Sequence, residues 1–251
     1  MAHPQGVRTV VVNPGIQAWS QVMTTLTMPG LPQKLADRYQ SWRQQRSALQ
    51  QDWRTVRWLA VDLETNGLDC GPEGILSIAW VPMQGGVIGM GEARYHVIRT
   101  DVPLNQSVVH HHLTTGDIAE GADLRSVMAE LAAAMTDAVL VAHHAGLDWR
   151  LLKAAGPYTG VAADPLAVVD TLQLERRRNA QRYQHDQMGA TPFDAYTLAA
   201  CRQRHDLPTR TAHHALEDAV ACAELFLAQA WKLAGSGSLT ASQLVRQGRP
   251  A

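Results

Sequence analysis

Cysteine is scarce: the chain has three in 251 residues, Cys70, Cys201 and Cys222, with no C-x-x-C spacing among them. An odd number at those positions excludes a disulfide framework and a zinc ribbon, and it points to a reducing compartment. An excess of charge of either sign is also missing, since 22 Lys and Arg stand against 23 Asp and Glu for a net charge of −1. The field of the whole molecule therefore cannot draw it to a polyanion, and any nucleic-acid affinity must come from local patches. No uninterrupted apolar run approaches the roughly 18 residues of a membrane span. The first 30 residues carry no charged start followed by a short apolar stretch, so a soluble, cytoplasmic protein without a membrane partner is expected. With 46% hydrophobic and 18% charged residues, the composition is that of a globular chain, neither collagen-like nor broadly disordered.

Charge is nevertheless uneven along the chain. Residues 1–57 hold seven Lys or Arg against two acids, Asp37 and Asp52, so the remainder is net acidic. In this basic arm residues 1–30 read as irregular, and Leu35, Tyr39, Trp42 and Trp53 fall near helical spacing. Such a helix either packs on the domain that follows or meets a partner. From Trp58 onward strand and helix signals alternate. Apolar runs at 58–63 and 75–81, a turn at Gln84-Gly85-Gly86 and a third run at 95–98 predict three linked strands. A helix from Asp123, a strand at 138–142, a helix around 148–155 and a strand at 167–169 follow. Three further helices are expected, one capped by Asp170 or Thr171 and two at 196–204 and 215–233. The fold class is α/β, a mixed five-stranded sheet flanked by helices. The domain limits expected are an N-terminal extension over 1–56, one domain over 57–234, and a flexible tail over 235–251 after Gly235-Ser236-Gly237-Ser238.

Three separated segments deliver carboxylates to strand ends or helix starts. Asp62 and Glu64 close the first strand two residues apart, so their side chains share a face. Two acids so close repel unless a cation compensates them, and the glycine turn of Thr65-Asn66-Gly67-Leu68 brings backbone amides near whatever that cation holds. Asp148 opens the helix after the fourth strand, and Asp218 lies in the first turn of the last long helix with His213 just ahead of it. Asp148 or Asp218 alone could serve a helix dipole, and a D-x-E pair alone is common. Together with a titratable histidine they are better explained as a hard-metal site with a general base.

Asp62-Leu63-Glu64-Thr65-Asn66-Gly67-Leu68, His143-His144-Ala145-Gly146-Leu147-Asp148 and His213-His214-Ala215-Leu216-Glu217-Asp218-Ala219 resemble the three motifs of the DEDDh 3′–5′ exonucleases. That family of the ribonuclease H-like superfamily includes the proofreading epsilon subunit of bacterial replicative polymerase. The likeness spans about residues 57–233 and takes in Val109–Thr114 and Asp170-Thr171-Leu172. It implies a ribonuclease H-like fold, with Asp62, Glu64, Asp148 and Asp218 as ligands of two divalent ions, Mg²⁺ or Mn²⁺. It makes His213 the base that takes a proton from the attacking water, with His214 the neighbouring alternative. Thr65, Leu68 and Leu147 match positions that contact the terminal nucleotide.

The implied activity is metal-dependent hydrolysis from the 3′ end of single-stranded nucleic acid, DNA favoured, in repair, proofreading or replication. RNA trimming and a non-catalytic docking module are the alternatives. The basic arm would meet a polymerase or another protein. Two departures from the family are His144, where the family has Asn, and Leu147, where it has an aromatic residue. His110-His111-His112 are consecutive and cannot easily converge on one ion, so His111 is matched to a structural position. Arg176-Arg177-Arg178 with Arg182 read either as a solvated helix face or as a contact to phosphates.

Overall fold

The computed structural model describes residues 39, 43–67, 69–104, 113–183 and 193–250. The expectations placed on residues 1–38, on Leu68 and on His110–His112 therefore lie outside the described residues. The chain divides into two units, 1–43 and 44–251. In the first, the Arg43 guanidinium sits 5.9 Å from the centre of the Tyr39 ring.

The second unit is built on one mixed sheet. Strand β1 (Arg57–Thr65) is central, β2 (Ile75–Gln84) pairs antiparallel on one side, and β5 (Ala138–Ala142) pairs parallel on the other, followed by β6 (Ala167–Asp170). Both β3 (Val87–Ile88) and β4 (Arg94–Val97) pair with β2 on its outer side, so the sheet has six strands, one more than expected. The extra strand is two residues long, too short to leave an alternating pattern in the sequence. The helices are α1 (Thr115–Ala119), α2 (Leu124–Met135), α3 (Ala145–Thr159), α4 (Thr171–Tyr183), α5 (Leu198–Gln203), α6 (Ala215–Ala234) and α7 (Ala241–Gln247).

Alternation along β1 decides which layer each residue meets. Leu59, Val61 and Leu63 pack with α2 and α3 through Leu131, Met135 and Leu152, whereas Trp58 and Ala60 pack with α6. The Trp58 ring lies 4.6 Å from Phe226, and its Nε1 donates to the Trp53 carbonyl at 2.8 Å. That second face is the one from which Asp62 and Glu64 project.

The tail is corrected. Residues 235–251 are not loose: the Trp53 amide donates to the Leu239 carbonyl at 3.0 Å, the Ala241 amide donates to Gln51 at 3.0 Å, and Leu239, Ala241 and Leu244 are buried against Trp53 and Phe226. Helix α7 opens with a Thr240–Gln243 capping box, in which each side chain accepts from the other residue's amide. The compact body therefore also begins before residue 57, with Trp53 and Val56 in its core. Among the described residues no helix is long and apolar enough to cross a membrane.

Candidate active site

The acids meet at the carboxyl-terminal end of β1. Between β1 and the first turn of α6, Asp62, Glu64 and Asp218 each offer a carboxylate oxygen, and these oxygens lie within 4.8 Å of one another. A bulge in the β1–β2 register between Glu64 and Thr65 ends the regular pairing there, as bulges often do beside a site. Asp148 arrives from the opposite face, in the first turn of α3, and is buried. The Leu63 backbone lies near enough to its carboxyl to oppose the rise in its pKa, so the fourth acid sits by the strand that carries the first two.

Without a cation this arrangement is electrostatically unfavourable. Burial first, then the charges of Asp148, Asp218 and Glu64, push Asp62 well above the ordinary carboxylate range. Burial and the Asp218 charge raise Glu64 to about 7. Burial, with the charges of Asp170 and Glu64, raises Asp148 to about 7 against the pull of its backbone hydrogen bonds. Asp218 is also raised by burial, with the His213 amide opposing. The donors are all carboxylate oxygens, which fits a hard divalent cation.

These shifts fix a pH dependence. A carboxyl group whose pKa is raised on folding favours the folded state below its unfolded pKa, and that advantage is lost as pH climbs to the folded pKa. Glu64, moved from 4.5 to about 7 by burial and by Asp218, opposes folding above neutrality, by about 1–2 kcal/mol once solvent screening of its exposed part is allowed for. The metal-free protein is therefore expected to melt at a lower temperature at pH 8 than at pH 5.5, and added Mn²⁺ to raise Tm strongly at pH 8 and little at pH 5.5. Equal stabilisation by metal at both pH values would contradict the assignment.

The two histidines ahead of α6 differ sharply. His213 is exposed and adopts φ 67°, and its backbone amide donates to Asp218 Oδ2 at 2.8 Å. His214, the N-cap of α6, stacks on Tyr95 with ring centres 4.5 Å apart, and its Nδ1 is buried without a hydrogen-bond partner among the described residues. His144, the N-cap of α3, is likewise left-handed, at φ 66°. Left-handed non-glycine residues thus precede the two helices that carry Asp148 and Asp218, a conformation that costs energy and collects at functional sites.

Several further groups support the site. Buried Asp170 at the end of β6 accepts from the His144 and Leu172 amides at 3.0 and 2.9 Å, holding the turn into α3. His143 bridges Thr171 Oγ1 and the Tyr196 carbonyl at 2.8 and 2.9 Å. Arg210 donates to Glu224 at 2.9 and 2.6 Å and to Glu217 at 3.0 Å, strapping the loop that ends at His213 onto α6. Asp170 and His143 fall in motif segments that the sequence resemblance takes in, whereas Arg210 does not and depends on tertiary contact.

Of the positions matched to the terminal nucleotide, the Thr65 hydroxyl donates to the Gly67 carbonyl at 3.2 Å, and Leu147 is half-buried beside Asp148. Of the α4 arginines, Arg176 lies over Tyr196, Arg177 donates to the Arg246 carbonyl and Arg178 pairs with Glu175, while the expectation on the Arg182 side chain lies outside what the structure describes. Burial pushes the Cys201 thiol up to about 12 and Cys222 well above its usual value, so neither is a nucleophile at neutral pH.

Comparison with known proteins agrees with this geometry. A family model described as Exonuclease matches residues 59–226. The DNA polymerase III PolC-type of Listeria innocua is 30% identical over 174 residues, covering 68% of this chain and 11% of that protein. The 3′-5′ exonuclease DinG of Staphylococcus haemolyticus is 28% identical over 175 residues, covering 68% of this chain and 18% of that protein. The chain thus spans only a small part of the length of these relatives. Among solved structures, Exonuclease X in complex with 5′ overhanging duplex DNA aligns with TM-score 0.55 at 24% identity, covering 77% of this chain and 99% of that one. Escherichia coli Exonuclease I with a dA16 oligonucleotide aligns with TM-score 0.60 at 14% identity, covering 72% of this chain and 42% of that one. These likenesses place the fold among ribonuclease H-like exonucleases.

Proposed function

The chain belongs to the RNase T exonuclease family, and from that premise we propose that it is a metal-dependent 3′–5′ exonuclease of the DEDDh type. Its substrate is the 3′ end of single-stranded nucleic acid, DNA in preference to RNA, in repair, proofreading or replication. The observation that carries this reading is the cluster of Asp62, Glu64 and Asp218 carboxylates within 4.8 Å at one end of β1, with buried Asp148 near enough for its charge to raise Asp62. The DNA preference and a polymerase partner rest on the names of the relatives, which include PolC-type polymerases and a nuclease solved with duplex DNA.

Asp62, Glu64, Asp148 and Asp218 would hold two divalent ions, Mg²⁺ or Mn²⁺. Ions so held supply charge stabilisation for the attacking and leaving oxygens of an in-line phosphodiester displacement. His213 is exposed and tethered through its own amide to Asp218, so its imidazole can reach the attacking water and accept its proton. The water oxygen forms the new bond to phosphorus, the bond from phosphorus to the 3′ oxygen breaks, and solvent protonates that oxygen. A nucleoside 5′-monophosphate and a shortened strand result. Thr65, Leu68 and Leu147 would contact the terminal nucleotide, largely through apolar surface that reads no sequence.

Polarity tests the reading. A single strand ending in an inverted 3′ nucleotide should resist digestion, whereas the same block at the 5′ end should leave it degraded to monophosphates. Degradation indifferent to the 3′ block would contradict it. Arg210 acts on this chemistry through the His213 loop. Arg210→Ala is expected to lower kcat about tenfold through displacement of the base, with KM and Mn²⁺ affinity near wild type and partial recovery in Arg210→Lys. An unchanged kcat would show that the strap does not position His213.

A further inference from the structure

On the outer side of β6 lies a groove of about 710 Å³ between α3 and α7. Its floor is apolar, formed by the half-buried Trp149, Val168 and Val245, and its rim carries three exposed cations, Lys153, Arg246 and Arg249. No acidic side chain lines it among the described residues. Elsewhere on the fold, Arg54, Arg94, Arg202, Arg204 and Arg210 are each matched to a carboxylate. The three groove cations take part in no ion pair among the described residues. Lys153 is instead held over the Trp149 ring, its Nζ 5.7 Å from the ring centre.

One wall of the groove comes from the first turn of α3, the turn that carries Asp148. Strands β1, β5 and β6 are parallel, so the end of β6 lies at the same end of the sheet as Asp62 and Glu64. There the Asp170 amide donates to the Gly248 carbonyl at 2.7 Å, which sets Arg249 beside that end. A Cβ on Gly248 would stand 2.5 Å from Val169 Cγ1, so only glycine lets the chain approach so closely. Gly146 and Trp149 flank Asp148 in the first turn of α3 and line that wall of the groove.

Unpaired cations over an apolar, aromatic floor fit one kind of ligand: a flexible polyanion with repeating negative charges and apolar surfaces between them. We propose that the α3–α7 groove binds the single strand behind its 3′ end, phosphates at Lys153, Arg246 and Arg249 and a sugar or base against Trp149. This inference rests on the exonuclease reading and extends it from the terminal nucleotide to the strand that follows. It also gives helix α7 a role in substrate binding beyond its packing.

The test is a variant with all three exposed cations neutralised, Lys153→Gln with Arg246→Gln and Arg249→Gln, compared with Trp149→Leu and wild type. Binding of a fluorescent 20-mer is followed by anisotropy with Ca²⁺ across salt concentrations, and digestion of the 20-mer and of a trinucleotide is followed with Mg²⁺. For the triple variant the account predicts at least tenfold weaker 20-mer binding. Its salt slope should be shallower by about 2, since each phosphate of a single strand that no longer meets a cation takes about 0.7 from the slope. The trinucleotide should be digested at the wild-type rate. Trp149→Leu should weaken 20-mer binding severalfold with the salt slope intact. Unchanged affinity and salt slope in the triple variant overturn the groove and leave the exonuclease reading standing. Loss of 20-mer binding in the variant of a protein that digests neither substrate would keep the groove and sink the exonuclease reading. Tighter capture of poly-glutamate than of the 20-mer would reassign the groove to an acidic protein and overturn the proposal.

Discussion

Asp62→Asn is expected to abolish hydrolysis and, at pH 8 without metal, to make the protein more stable. The loss of activity follows from removing one of the carboxylates that fits a cation, and should be about 10³-fold or more, at the upper end of what one preorganised charge supplies. The gain in stability follows from the same residue's surroundings. Asp62 is opposed by burial and by the charges of Asp148, Asp218 and Glu64. A neutral isostere removes that opposition and is worth about 1–2 kcal/mol, or roughly 2–8 °C in Tm for a domain of this size. Metal-free melting curves at pH 8 check it, with single-turnover digestion as the companion. A variant that is both inactive and less stable would mean that Asp62 is held by structural contacts and not strained by its neighbours. Such opposition between stability and activity is common where a site is built from like charges.

The second large effect concerns the histidine. His213→Asn is expected to lower kcat by about 10²–10⁴, the usual range for a general base, while Mn²⁺ binding and 20-mer affinity stay near wild type. Asn is the informative replacement because it tolerates the left-handed backbone that His213 adopts at φ 67° better than Ala does. His214→Ala should lose about 1 kcal/mol of stability with its stack on Tyr95, and little turnover. Rapid-quench digestion at saturating metal, with Tm in parallel, separates the two. The opposite ranking would give the proton to His214.

What can be read from the sequence has a local physical signal. The apolar run of 58–63 ending in Asp62 and Glu64 marks a buried strand with acids at its end, and the apolar stripe of 215–233 with Asp218 in its first turn marks the helix that meets them. All five expected strands are present, and helix α3 extends from the expected 148–155 to Ala145–Thr159. The tail reads as loose because Gly235-Ser236-Gly237-Ser238 looks like a linker. The Thr240–Gln243 capping box and the apolar spacing of Leu239, Ala241 and Leu244 are the signal that a helix follows. Other features leave no local pattern. Arg210 meets Glu217 and Glu224 only when the loop folds back, and the α3–α7 groove exists only once residues 241–250 pack beside β6.

The most direct test of the account is digestion of one 20-mer, as DNA and as RNA and labelled at either end, by wild type and Asp62→Ala with Mg²⁺, Mn²⁺ or EDTA. The account predicts a ladder that shortens stepwise from the 3′ end, faster on DNA, absent with EDTA and absent in Asp62→Ala. Cleavage that persists in EDTA or in Asp62→Ala would contradict it, as would internal cuts or no cleavage at all.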